Sequence, residues 1–90
     1  MLYLISDSER TVYKLGFSRS PAARLLQLQT GNPLKLILLA TCKGSYKQER
    51  ELHQWLCTSR LVGEWFQWSD KVNLILDRWQ SKAVSNETTS

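Results

Sequence analysis

Tyr3, Lys14 two places before Gly16, Arg24, Glu49 with His53 one helical turn on, and the run Gly63-Glu64-Trp65-Phe66 are the residues of this chain whose types suit chemistry. Together they supply a phenol, two cations and a carboxylate able to bind a metal, which are the groups that cutting a phosphodiester requires. None is distinctive alone. Taken singly, Tyr3 reads as a packing aromatic on a strand and Lys14 as a solvated strand residue. Arg24 reads as a surface cation on a helix, and Glu49 as an exposed helix carboxylate paired with a neighbouring base. Yet Glu49 precedes His53 by one turn and lies in line with Leu52 and Leu56, at the edge of a buried helical stripe.

The elements that must position these groups follow from hydrophobic pattern and turn chemistry. Leu2 to Ile5 is a short apolar run, Asp7 to Arg10 is turn material, and Thr11 to Phe17 alternates with β-branched and aromatic residues, so the chain opens with a β-hairpin. Ser20 caps a helix with Pro21 at its first position, where the missing N–H costs nothing. Ala22, Leu25, Leu26 and Leu28 carry that helix toward Gly31, which can supply a left-handed stop. Leu34 to Cys42 predicts a third, largely buried strand, and Tyr46 to Ser59 a helix burying Leu52, Leu56 and Trp55. Gly63 to Trp68 reads as a turn and short strand in which Trp65 and Phe66 close the core. Ser69-Asp70 caps a last helix to about Lys82. The expected fold is a small α+β domain over residues 1–83, a three-stranded, mainly antiparallel sheet flanked by helices, followed by a polar, disordered tail over 84–90.

Ninety residues make one domain with a single modest core. The net charge is +4, and its distribution is more informative than its total. Between Arg10 and Gln48 there is no Asp or Glu, while Arg10, Lys14, Arg19, Arg24, Lys35, Lys43 and Lys47 all fall there. Such a segment projects a positive field suited to a polyanion such as nucleic acid, although a solvated lysine-rich face has the same composition. Cys42 and Cys57 lack the number and spacing of a disulfide framework or a zinc site and read as small core residues of a reducing compartment. The amino-terminal residues do not form a signal peptide and no window approaches a membrane span. A cytoplasmic protein is expected.

Tyr3 on the first strand, the Tyr13-Lys14-Leu15-Gly16 run on the second, Arg24 in the next helix and Glu49 in the helix after strand three resemble the GIY-YIG endonuclease superfamily. The stretch Tyr13 to Pro33, with Glu49-Arg50-Glu51-Leu52-His53 and Gly63-Glu64-Trp65-Phe66, is similar to a compact subgroup of phages and bacteria. The likeness covers residues 2 to about 68 and departs from the family pattern twice. Met1-Leu2-Tyr3 stands where the first motif reads Gly-Ile-Tyr. With Gly16 aligned to the last glycine of the second motif, Lys14 takes the place of a tyrosine. Adjacent strand residues point to opposite faces, so Tyr13 and Lys14 cannot both face one site; the register favoured here puts Lys14 there.

The resemblance implies metal-dependent hydrolysis of nucleic acid, expected to be DNA, with Tyr3, Lys14, Arg24 and Glu49 as catalytic residues. Tyr3 would be the general base. A free phenol with a pKa of about 10 is ionised in roughly one part in a thousand at neutral pH, a penalty of about 4 kcal/mol, so a neighbouring cation must lower it. Lys14 is the expected agent. Arg24 would grip the phosphate with its planar fork, and Glu49 would hold a single Mg2+ or Mn2+ near the 3′ leaving oxygen. Tyr13, His53 and Glu64 are candidates for supporting roles, and Arg10, Arg19, Lys43 and Lys47 for contacts to the nucleic acid. One site per domain implies nicking by a monomer, or a double-strand cut by a weak dimer. With no appended recognition domain, sequence specificity would have to come from a partner protein. Two other readings share these features: a catalytically silent nucleic-acid-binding module, and an interaction protein whose basic face meets an acidic partner.

Overall fold

The computed structural model describes residues 1–89, with side chains through Ser81. The elements run β1 (Leu2–Asp7), β2 (Val12–Phe17), α1 (Pro21–Gln29), β3 (Leu36–Cys42), α2 (Tyr46–Trp55), a 3-10 turn (Cys57–Ser59), β4 (Trp65–Gln67) and α3 (Asp70–Thr89). The strands form one antiparallel sheet in the order β3-β1-β2-β4. An α+β sheet flanked by helices is therefore present, with four strands instead of the three expected from the sequence. The added strand is the short Trp65–Gln67 run, which pairs with Val12 to Lys14 along the outer edge of β2. A side-chain contact reinforces that pairing: Phe66 is fully buried and stacks on Tyr13 with ring centroids 5.3 Å apart.

The β1–β2 turn is organised by Asp7. Its carboxylate accepts from the Thr11 amide (2.8 Å), the Thr11 hydroxyl (2.6 Å) and the Val12 amide (3.1 Å). Burial alone would raise this acid, but those donors outweigh it and hold Asp7 below the ordinary carboxylate value. Arg10 completes the turn in a left-handed conformation, φ 56°.

Helix boundaries follow from caps. Ser20 Oγ accepts from the Ala23 amide with Pro21 opening α1, and Gly31 beyond its end has φ 76°. Ser45 and Gln48 form a reciprocal capping box on α2. That helix stops at Trp55 instead of running to Ser59, because the chain tightens into the 3-10 turn behind the fully buried Leu56. Ser69 does not act as the expected cap of α3, since its hydroxyl is buried without a hydrogen-bond partner. The α3 backbone continues through Thr89, beyond Lys82. The polar tail expected over 84–90 falls where side chains, and at Ser90 the backbone, lie outside the described residues.

The sheet separates two apolar layers. On one face Leu2, Leu4, Tyr13 and Leu15 pack with Leu56, Phe66 and the α3 residues Val72, Ile75, Leu76 and Trp79. On the other, Tyr3, Ile5 and Leu36 pack with Leu25 and Leu28 of α1 and with Trp65. Each fully buried side chain of this kind stabilises the fold by about 1.5–3 kcal/mol, so the face carrying α3 holds most of the core. Among the described residues, no helix is long and apolar enough to cross a membrane.

Candidate functional site

Strand register places the polar residues. Tyr3 pairs with Gly16, Ile5 with Lys14, and Lys14 with Trp65, so Tyr3, Lys14 and Gly16 share the face covered by α1. Tyr3 lies across Gly16: a β-carbon there would overlap the phenol oxygen and ring. This explains glycine at that position on steric grounds, with no need of a special backbone angle.

From α1, the Arg24 guanidinium lies close enough to the Tyr3 hydroxyl to act on its titration. Burial raises the Tyr3 phenol above its ordinary value, and Arg24 is the main influence opposing it. Here the structure corrects the sequence reading, in which Lys14 was the cation that lowers Tyr3. The Lys14 ammonium is committed elsewhere, 3.0 Å from Glu64 Oε2 and 5.7 Å from the centroid of the Trp65 ring. Its side chain is only 8% exposed, which makes the Glu64 partner a structural necessity. Arg24 also donates to Gln27 Oε1 at 3.2 Å.

Glu49 and His53 stand where β4 ends and the outer edge of β2 would otherwise be bare. The His53 ring nitrogen Nε2 makes a short contact to the Leu15 carbonyl, and the Glu49 carboxylate is served by the Phe17 amide. Helix α2 thus continues, with side chains, the ladder that β4 leaves off. Glu49 is buried, and desolvation raises its pKa. His53, 3.9 Å away, and Lys14 partly offset this, while Glu64 adds to it. Glu64 thus bears on Tyr3, Arg24 and Glu49 alike, raising each of them. Among the described residues, no three His, Cys, Asp or Glu side chains gather as a metal cluster.

Tyr13 is not part of this arrangement. Alternation sends it to the opposite face, between Phe66 and the edge of Trp68, where burial pushes its phenol up to about 12. The basic residues divide. Arg19, Lys43 and Lys47 are exposed; Arg19 and Lys43 follow β2 and β3 at the end of the sheet where Leu2 meets Phe17 and Cys42, and Lys47 lies in the first turn of α2. Arg10 is at the other end, stacked on Trp68 at 5.7 Å, and is not brought to the site. Sequence reasoning missed Arg50, Arg60 and Tyr46, which line an open groove beside Glu49 and Glu64; Arg50 falls just past the acid-free segment on which the charge reading rested.

A phenol and a paired ammonium on one face of a small antiparallel sheet, a guanidinium from α1 beside them and a desolvated carboxylate at the sheet's edge make up the candidate site of this α+β domain. The chain belongs to the T5orf172 domain family, whose model matches residues 1–81, a phage-associated family in the nuclease range. That membership sets it among nuclease-like or nucleic-acid-binding modules. No match was found among curated proteins or solved structures.

Proposed function

We propose that this chain is an endonuclease of the GIY-YIG type that hydrolyses DNA phosphodiesters with a single divalent ion. The observation carrying this reading is the convergence of Tyr3, Lys14 and Arg24 on one sheet face with Glu49 at its edge. Arg24 takes oxygens of the scissile phosphate with its fork of donors. Tyr3 receives the proton of the attacking water, and Arg24 beside it favours the phenolate. Lys14, fixed by Glu64 and Trp65, adds positive charge on the same face as charge builds on phosphorus. As the water oxygen bonds to phosphorus, the bond to the 3′ oxygen breaks, leaving a 5′-phosphate and a 3′-hydroxyl.

The residues fit Mg2+ or Mn2+. Glu49 is a hard oxygen donor, raised by its desolvation, that lines an open groove. Such an ion, when bound, supplies charge neutralisation at the leaving oxygen.

The test is nicking of supercoiled plasmid with Mg2+ or Mn2+, with and without chelator, beside a binding titration. Nicked circles only with metal, and binding in either case, are expected. A second reading, a binding module without turnover, is favoured by the upward shift of Tyr3, which opposes a role as base. A chain that binds DNA and RNA but nicks neither with any divalent metal would establish it.

A further inference from the structure

The groove beside the site has features that cutting alone does not explain. It is an open channel of about 840 Å3 between the outer side of α2 and the turn leading into β4. That turn is tightly built: Arg60 bridges Phe66, the Leu61 amide donates to the Trp65 carbonyl at 2.9 Å, and the Trp65 amide donates to the Val62 carbonyl at 3.0 Å. Gly63 supplies the left-handed residue, φ 58°, and Arg60 Nε donates to the Gly63 carbonyl at 2.6 Å.

Lys47, Arg50 and Arg60 line the groove. Of the acids there, Glu64 is paired with Lys14 and Glu49 is buried near His53, so Glu51 is left to face the three cations. Tyr46 lines the groove and is 59% exposed. A duplex offers phosphates outward and keeps its bases stacked, so cations alone would serve it. An exposed aromatic ring interleaved with cations suits a strand whose bases are unstacked and free to lie on that ring.

We propose that this groove takes a single-stranded segment of nucleic acid, its phosphates on Lys47, Arg50 and Arg60 and a base stacked on Tyr46. The preferred substrate is then DNA with an unpaired strand adjoining the scissile phosphate, a statement that rests on the nuclease reading; the strand site itself does not.

The experiment titrates fluorescent oligothymidine and a hairpin duplex, without metal, into the wild-type chain, Tyr46→Ala, Tyr46→Phe and the double variant Arg50→Ala/Arg60→Ala. Tyr46→Ala should bind oligothymidine roughly 5- to 150-fold more weakly, as expected for loss of one base stack, and leave duplex affinity within about twofold. Tyr46→Phe should restore binding, and the double variant should weaken it with a smaller salt dependence. Equal losses for single strand and duplex, or no loss in Tyr46→Ala, would overturn the proposal. So would competition by a polyglutamate peptide stronger than by oligothymidine, which would make the groove a site for an acidic protein segment. A wild-type chain that nicks plasmid while Tyr46→Ala keeps full single-strand affinity sinks the groove alone. A chain that never nicks but shows the Tyr46 effect sinks the nuclease reading alone.

Discussion

The Tyr3 ring occupies the space that any side chain at position 16 would need. Gly16→Ala must push that ring away from Arg24, or bend β2, and should cost about 1–3 kcal/mol as overpacking does. Thermal melting would read this as a fall in Tm, with nicking reduced; an unchanged Tm would mean that the ring adapts freely. Burial has a second consequence at Tyr3. Because the phenol is raised and its deprotonated form is the proposed base, nicking should climb about tenfold per pH unit through neutrality with no plateau below about pH 10. A plateau near pH 7 would point to another base. The sequence singles out Tyr3 through its company but does not show Arg24 as the cation that acts on it. Lys14 lies nearer on the sheet, yet its charge is spent on Glu64, fifty residues away in sequence, a pairing no local pattern reveals.

The outer edge of β2 is shared between two elements, β4 along Val12 to Lys14 and α2 along Leu15 to Phe17. His53→Ala should leave the Leu15 carbonyl without its partner and cost about 1–3 kcal/mol. It also removes a charge that lowers Glu49, so the acid limb of the metal-dependent rate should move to higher pH; a limb that stays put would separate His53 from Glu49. In the β1–β2 turn the sign is opposite. The folded-state pKa of Asp7 is depressed, so its stabilisation is complete above the unfolded value of about 3.9 and is lost as pH falls through the folded one. Asp7→Asn should therefore lower stability by about 1–3 kcal/mol at neutral pH and flatten the acid side of the stability profile. The hairpin, the Ser20-Pro21 helix start and the left-handed Gly31 were legible, since each depends on neighbours in sequence. The short strand after Gly63 was legible but its place in the sheet was not: three residues carry too little alternation to show a partner, and what recruits them is Phe66 stacking on Tyr13. The task of His53 was likewise hidden, because it serves a backbone carbonyl thirty-eight residues away.

At the scale of the whole molecule, folding sorts the cations that composition had pooled. Arg19, Lys43 and Lys47 gather toward the end of the sheet that holds Tyr3 and Gly16, whereas Arg10 is spent on Trp68 at the other. Binding to nucleic acid should therefore weaken steeply with salt, with a log–log slope of about −0.9 per phosphate contact on duplex DNA, and Arg10→Ala should leave that slope unchanged. A smaller slope in Arg10→Ala would return that residue to the interface. The central claim is that one face of this sheet cuts a phosphodiester through Tyr3, Arg24 and a carboxylate at its edge. Glu49→Gln tests it most directly, since the amide keeps the side chain's size and its acceptor for the Phe17 amide while removing the negative charge that a metal ion needs. The measurement is plasmid nicking in Mg2+ or Mn2+ beside a binding titration, on protein whose melting temperature matches the wild type. Nicking reduced to background with DNA affinity kept within a few fold is the predicted result; Glu49→Gln nicking at the wild-type rate with the same metal response would contradict the account.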